Sequence, residues 1–296
     1  MLRAAAGLVA LASILPVPAL AASKCGPAMV QLVVLDPGGS SLSGLDPSDF
    51  KVRIKGQNAT VKAMDYGLFP HSTLLLVSRD NSMGQSIKID LARQLANSVV
   101  NSAPGPAMNG SFAGEVSGIA DARSQPVTAA LQAASDNRNA MYDAIVAGMS
   151  TMNLHRGDSV VVLADSPDNG SKTTATELQQ QLLNHGARLF VIALPPANGS
   201  GTMQSLSDLA DATGGAVIVP LRLDESTKGV VITPSQVDGA VTTFSHTFSQ
   251  YNNIYQLETD LDGQEKPQPL KVDVNRSKMG SGKVVAPTML APCTAI

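Results

Sequence analysis

Residues 28–66 alternate apolar and polar positions with a period of two: Val30, Leu32 and Val34, then Phe50, Val52 and Ile54, then Val61 and Ala63. Successive side chains of an extended chain point to opposite faces, so this pattern predicts short strands with one face in a core. Asp36-Pro37-Gly38-Gly39, Asp46-Pro47 and Gly56-Gln57-Asn58 supply the turns between them. From Thr73 the pattern changes. Thr73–Val77, Ser159–Ala164, Ala187–Leu194 and Ala216–Val219 are continuous apolar runs of strand length, Ser159–Ala164 being the clearest. Between them Ile87, Leu91, Leu95 and Val99 form one helical stripe, ended by Pro104-Gly105-Pro106. Met141–Met152, Glu177–Asn184 and Met203–Ala212 are further helices, the last two stopped by His185-Gly186 and Gly214-Gly215. Val237, Val241, Phe244, Phe248 and Tyr251 recur at four and three and predict another helix, before the alternating strands Tyr255–Leu261 and Leu270–Val274.

Apolar strands alternating with helices predict a parallel sheet covered on both faces. The expected fold class is therefore α/β: a doubly wound, mostly parallel sheet flanked by helices, with a small β-sandwich-like unit from the N- and C-terminal strands. The expected organisation is an N-terminal β segment (22–70), an α/β domain (71–222), a connecting loop and amphipathic helix (223–253), and a C-terminal β segment (254–296) pairing with the first. Residues 1–21 read as a secretory signal: Arg3 is the positive region, Ala4–Leu15 the apolar region, and Ala19-Leu20-Ala21 the cleavage site. That predicts a secreted or periplasmic protein. No later stretch reaches the ~18 apolar residues of a membrane span.

The 296 residues are 44% hydrophobic and 15% charged with no Trp, so the core is built from Val, Leu, Ile, Ala and Met. The net charge is −3 and no run of basic residues occurs, which excludes a nucleic acid as partner. Two cysteines, Cys25 and Cys293, lie at opposite ends of the exported chain. An isolated pair in an oxidising compartment predicts a disulfide that brings the termini together. The alternative, a reactive thiol, lacks a nearby His or a Cys-x-x-Cys context.

Ligands of open α/β sheets bind beyond the C-terminal strand ends. Three polar segments fall there: Ser78-Arg79-Asp80-Asn81-Ser82-Met83, Asn137-Arg138-Asn139 before Ala140-Met141-Tyr142-Asp143-Ala144, and Asp165-Ser166-Pro167-Asp168-Asn169. With Gly44-Leu45, Asp49-Phe50 and Thr213-Gly214-Gly215, their order and spacing over residues 28–285 resemble the von Willebrand factor A (VWA) domain of secreted bacterial "VWFA-related" proteins. The resemblance implies a non-enzymatic binding module with a metal-ion-dependent adhesion site, in which oxygen ligands hold Mg²⁺ or another divalent cation. Here the corresponding residues are Ser78, Asp80, Ser82, Asn139 and Asp165. The set departs from the family pattern. Ser78 stands where the first Asp belongs, Asp80 where the first Ser belongs, and Asn139 replaces a Thr. Two readings follow. In one, the rearranged set still holds a cation. In the other, the site has decayed, Asp80 and Asn81 cap the helix near Ser86, and Arg79 pairs with Asp80 in place of a metal.

Other chemistry is thin. The four His residues lack metal-ligand spacing, and no Gly-x-Ser-x-Gly elbow is present. Gly280-Ser281-Gly282-Lys283 is followed by Val284 and lacks the remaining phosphate-loop residues, so it predicts a hairpin turn. The expected function is a secreted, non-catalytic protein-binding module whose partner is a protein or envelope component. The alternatives are a structural envelope scaffold with a vestigial metal site and, behind it, a secreted hydrolase.

Overall fold

A computed structural model of the chain describes residues 25–84, 86–125, 137–195, 204–221 and 232–294. The signal segment 1–21 and the first residue of the helix expected from Met203 lie outside these described residues. The N-terminal strands are β1 (Pro27–Leu35), β2 (Phe50–Ile54), β3 (Gln57–Ala59) and β4 (Val61–Leu68). The α/β part follows as β5 (Thr73–Ser78), α1 (Ser86–Ser102), β6 (Ala107–Phe112), β7 (Val116–Asp121), α2 (Met141–Met152), β8 (Ser159–Ala164), α3 (Ala175–His185), β9 (Arg188–Ala193), α4 (Gln204–Thr213) and β10 (Ala216–Ile218). The chain closes with α5 (Pro234–Gln250), β11 (Asn253–Asp262), β12 (Gln268–Val274), the single turn α6 (Arg276–Met279), β13 (Lys283–Val285) and β14 (Met289–Leu290).

Among the described residues the α/β strands form one six-stranded sheet in the order β10-β9-β8-β5-β6-β7. Every neighbour pair is parallel except β6–β7. Counted from β5, this is the doubly wound order 3-2-1-4-5-6, with the switch point between β5 and β8. Both faces of the central strands are buried, and their residues divide by parity. Leu74, Leu76, Val160 and Val162 pack with α2, α3 and α4, whereas Leu75, Val77, Val161 and Leu163 pack with α1 and α5. The helix expected as a connector is thus the outer layer of this core, through Val237, Ala240, Phe244 and Phe248.

β6 and β7 have no counterpart in the hydrophobic pattern. Their sequences, Ala-Met-Asn-Gly-Ser-Phe and Val-Ser-Gly-Ile-Ala-Asp, contain no apolar run. They are strands because β5 offers an open edge for β6 over six residue pairs. The Thr213-Gly214-Gly215 segment is fixed by close approach. Leu189 N donates to Thr213 Oγ1 at 3.0 Å, Gly214 has φ +75°, and a Cβ on Gly215 would stand 1.7 Å from Leu189 O.

The terminal strands make two further four-stranded antiparallel sheets, β13-β1-β11-β4 and β14-β12-β2-β3. Val30, Leu32 and Val34 share a core with Val52, Ile54, Leu257 and Leu270 across these sheets, which makes the unit a sandwich. The opposite parity of β1, Val33 and Leu35, packs into the α/β core. The sandwich and the α/β domain therefore share one strand. Tyr255 centres the sandwich: its hydroxyl donates to Leu42 O at 2.9 Å and its ring lies 5.2 Å from that of Phe50. The Gly280–Lys283 turn does not join two strands of a hairpin; it follows α6 and carries the chain from one sheet to the other. Cys25 and Cys293 form the expected disulfide, with 5.6 Å between Cα atoms. No helix among the described residues is long and apolar enough to cross a membrane.

Candidate functional site

The ends of β5 and β8 flank the switch point; Asp165 directly follows β8, and Asp80 follows β5 after Arg79. Both aspartates are buried, at 3% and 4% exposure. Ser82 stands between them in a short 3-10 turn (Asn81–Gly84), its Oγ 2.5 Å from Asp80 Oδ1 and 2.6 Å from Asp165 Oδ1. One hydroxyl proton cannot serve both oxygens at once, so the bridge alone leaves the two carboxylates under-compensated. Further donors complete the set. Asp80 Oδ2 accepts from Ser166 Oγ at 2.9 Å and more weakly from Asn139 Nδ2 at 3.4 Å. Asn139 Nδ2 also donates to Ser166 Oγ at 2.8 Å.

The positive charge in this cluster is Lys88, in the first turn of α1. Its Nζ lies 2.5 Å from Asp165 Oδ2 and 3.1 Å from Ser82 O. Its side chain is 1% exposed and that of Asp165 is 0% exposed. A cation in the first turn of a helix works against the helix dipole, and a buried ammonium needs a partner carboxylate to be tolerated at all. The hydrophobic pattern starts the helical stripe at Ile87. In the fold Lys88, Leu91, Ala92, Leu95, Ala96 and Val99 are the buried face, and Ile87 only flanks it. A lysine three and seven residues before Leu91 and Leu95 was the available signal.

All five residues expected as metal ligands converge at this end of the sheet or line it, but with different roles. Asp80, Ser82 and Asp165 are joined through the serine, and Asn139 reaches them through its amide. Ser78 contributes no contact: its Oγ is buried without a partner, as is Asn139 Oδ1. Asp80 does not cap α1 through its carboxylate, whose partners are those above. Arg79 does not pair with it among the described residues; its Nε is buried without a partner. As arranged, these residues do not fit a divalent ion. The two carboxylates meet a serine and an ammonium at hydrogen-bonding distance, and those oxygens are already engaged.

The third loop is tied to the second from below. Asn139 N donates to Asn169 Oδ1 at 2.7 Å, and Asn169 N and Gly170 N donate back to Asn139 O. Asp168 accepts from Tyr142 N at 3.0 Å at the start of α2. Asp143 accepts from Lys172 N and Thr173 N, both at 2.9 Å. Burial pushes the Asp143 carboxyl up, but the hydrogen bonds from Thr173 and Lys172 outweigh it and hold the group below its ordinary value. The exposed residues on this rim include Asn81, Asn137, Arg138 and Asn169.

A mostly parallel sheet in this order is a doubly wound α/β fold, and the three loops at its switch point are those on which the sequence resembles the VWA domain. No family model matches the chain and no curated protein is similar to it. Among solved structures, the proximal thread matrix protein 1 of the mussel byssus is similar over 72% of this chain, at 11% identity and a TM-score of 0.46. This chain spans half of that protein (50%). A von Willebrand factor type A protein from Catenulispora acidiphila is similar over 91% of this chain and 74% of its own, at 11% identity and a TM-score of 0.44. The VWA domain of SpRpn10 is similar over 59% of this chain and 95% of its own, at 13% identity and a TM-score of 0.43.

Proposed function

We propose that this chain is a non-catalytic interaction module acting outside the cytoplasm, which captures a protein or other envelope component on the loop end of its α/β sheet. The observation that carries this reading is that three loops are locked together from beneath by the buried Asp80–Ser82–Asp165 cluster. Their exposed rim is thereby held rigid, and a preorganised surface loses little entropy on binding. The partner meets that rim, at Asn81, Asn137 and Asn169, rather than the buried carboxylates. The disulfide and the signal-like residues 1–21 support an extracytoplasmic location.

The test uses paired rim substitutions, Asn81→Arg with Asn137→Arg, in quantitative cross-linking on intact cells. Loss of a specific cross-linked species with an unchanged melting temperature supports the reading. Cross-linking unchanged by the rim pair, but lost on substituting exposed residues of β4, moves the binding surface to the sandwich. A second reading, an envelope scaffold whose site is vestigial, is favoured by the engagement of Asp165 with Lys88; it requires that no rim substitution has an effect. Robust turnover of generic ester, glycoside or phosphate substrates would return the hydrolase alternative.

A further inference from the structure

We infer that the Lys88 ammonium is a built-in cation, standing where a VWA-like site would hold a divalent ion, and that this end of the sheet is therefore assembled without metal. The inference concerns how the site is neutralised, so it stands or falls separately from the choice of partner.

Four observations converge. Lys88 Nζ contacts Asp165, the aspartate after the central strand β8, and the backbone oxygen of Ser82 in the loop after β5, so a single positive group links both sides of the switch point. Ser82 Oγ bridges both carboxylates, so the loop that offers Lys88 its backbone oxygen is itself tied to Asp80 and Asp165. Ser78, at the position where the family pattern has its first Asp, carries no charge. With that carboxylate gone, Asp165 pairs with the lysine while Asp80, two residues further on, is met by Ser82, Ser166 and Asn139. Lastly, the lysine lies on the buried stripe of α1, among Leu91, Ala92 and Leu95, where solvation cannot stabilise it. A buried ammonium there is retained only with its anionic partner. A mobile divalent ion could leave; a tethered ammonium cannot. The loops are thus held in one arrangement irrespective of the cation concentration outside the cell.

The consequences are measurable on the intact, oxidised protein. Wild-type protein titrated with Mn²⁺, Mg²⁺ or Ca²⁺ gives no saturable heat, and its melting temperature is unmoved by EDTA. Lys88→Ala removes the ammonium and opens a space beside the Asp165 carboxylate. It melts roughly 10 °C lower, and millimolar Mn²⁺ restores part of that loss in the variant but not in the double variant Lys88→Ala/Asp165→Asn. Saturable one-to-one cation binding by the wild type overturns the inference. So does a folded Lys88→Ala protein that takes up no cation, since the lysine would then not be standing in a cation's place. Should Lys88→Ala fail to fold, amine acetylation of the wild type read by peptide mass spectrometry decides. Lys88 stays protected with and without Mn²⁺ if it is the resident cation, and becomes labelled with Mn²⁺ if an ion displaces it.

Discussion

The base of the α/β sheet, opposite the loops, holds a buried histidine whose titration sets the stability of the protein in mild acid. His71 lies just before β5. Its Nδ1 is 3.0 Å from Phe69 O and its Nε2 is 3.3 Å from an Arg188 amino group. The neutral ring that donates from Nδ1 and accepts at Nε2 satisfies both contacts; a second proton on Nε2 would point at the guanidinium. Burial first, and then the charge of Arg188, lower its pKa from 6.5 to about 4, against the opposing effect of the Phe69 carbonyl. Arg188 is held by Tyr251 O and Ser159 Oγ and faces the Asp158 charge, which partly offsets its own burial; its pKa falls to about 10, so it remains a cation. Between pH 6.5 and 4 the unfolded chain therefore binds a proton that the folded chain refuses. Stability from this residue is full above pH 6.5 and is lost as the pH falls toward 4. Between pH 7 and 4.5 the loss amounts to about 2 kcal/mol, at ~1.4 kcal/mol per tenfold difference in proton affinity. Urea unfolding of the wild type and of His71→Gln, followed across that range, reads it directly. The Gln variant is less stable at pH 7 but has the flatter profile, and the difference between the two profiles reaches about 2 kcal/mol. The carboxyls held low by hydrogen bonds, Asp49, Asp121, Asp143 and Asp260, start from 3.8 and act below this window, and Glu177, held low by Thr174, starts from 4.5 and contributes equally to both proteins at its lower edge. Parallel profiles for the two proteins would refute the assignment of a neutral, buried His71.

Three further outcomes follow from the packing. Asp165→Asn leaves Lys88 buried without its carboxylate and costs about 3–5 kcal/mol in chemical denaturation; a loss below ~1 kcal/mol would mean the ammonium escapes to solvent. Ser78→Ala removes a buried hydroxyl that has no partner and is neutral or stabilising by up to about 1 kcal/mol; a clear destabilisation would show that the hydroxyl serves a bound group. Gly215→Ala forces a methyl group into the carbonyl of Leu189 and costs about 1–3 kcal/mol or prevents folding; a melting temperature equal to the wild type would refute the close approach.

Much of this architecture is written in local pattern. The period of two in β1 and β2, the apolar runs of β5, β8 and β9, and the stripes of α1 and α5 are each set by neighbours a few residues apart. They determine which segments are strands or helices and which faces are buried. The three polar loops at the switch point were legible for the same reason, because the run-to-loop transitions at Val77 and Ala164 are sharp. The pairing of Cys25 with Cys293 followed from compartment chemistry and the count of two. What the sequence alone did not determine is where side chains distant in the chain meet. β6 and β7 have no apolar run of their own and become strands through the edge that β5 offers. Lys88 reads as an ordinary helix residue until the helix is docked and its stripe is placed against the sheet; only then does its ammonium fall beside Asp165, 77 residues away. Local pattern fixes backbone conformation through short-range sterics and burial. The charge balance of a buried site depends on which long-range partners remove it from water together, and tertiary packing decides that.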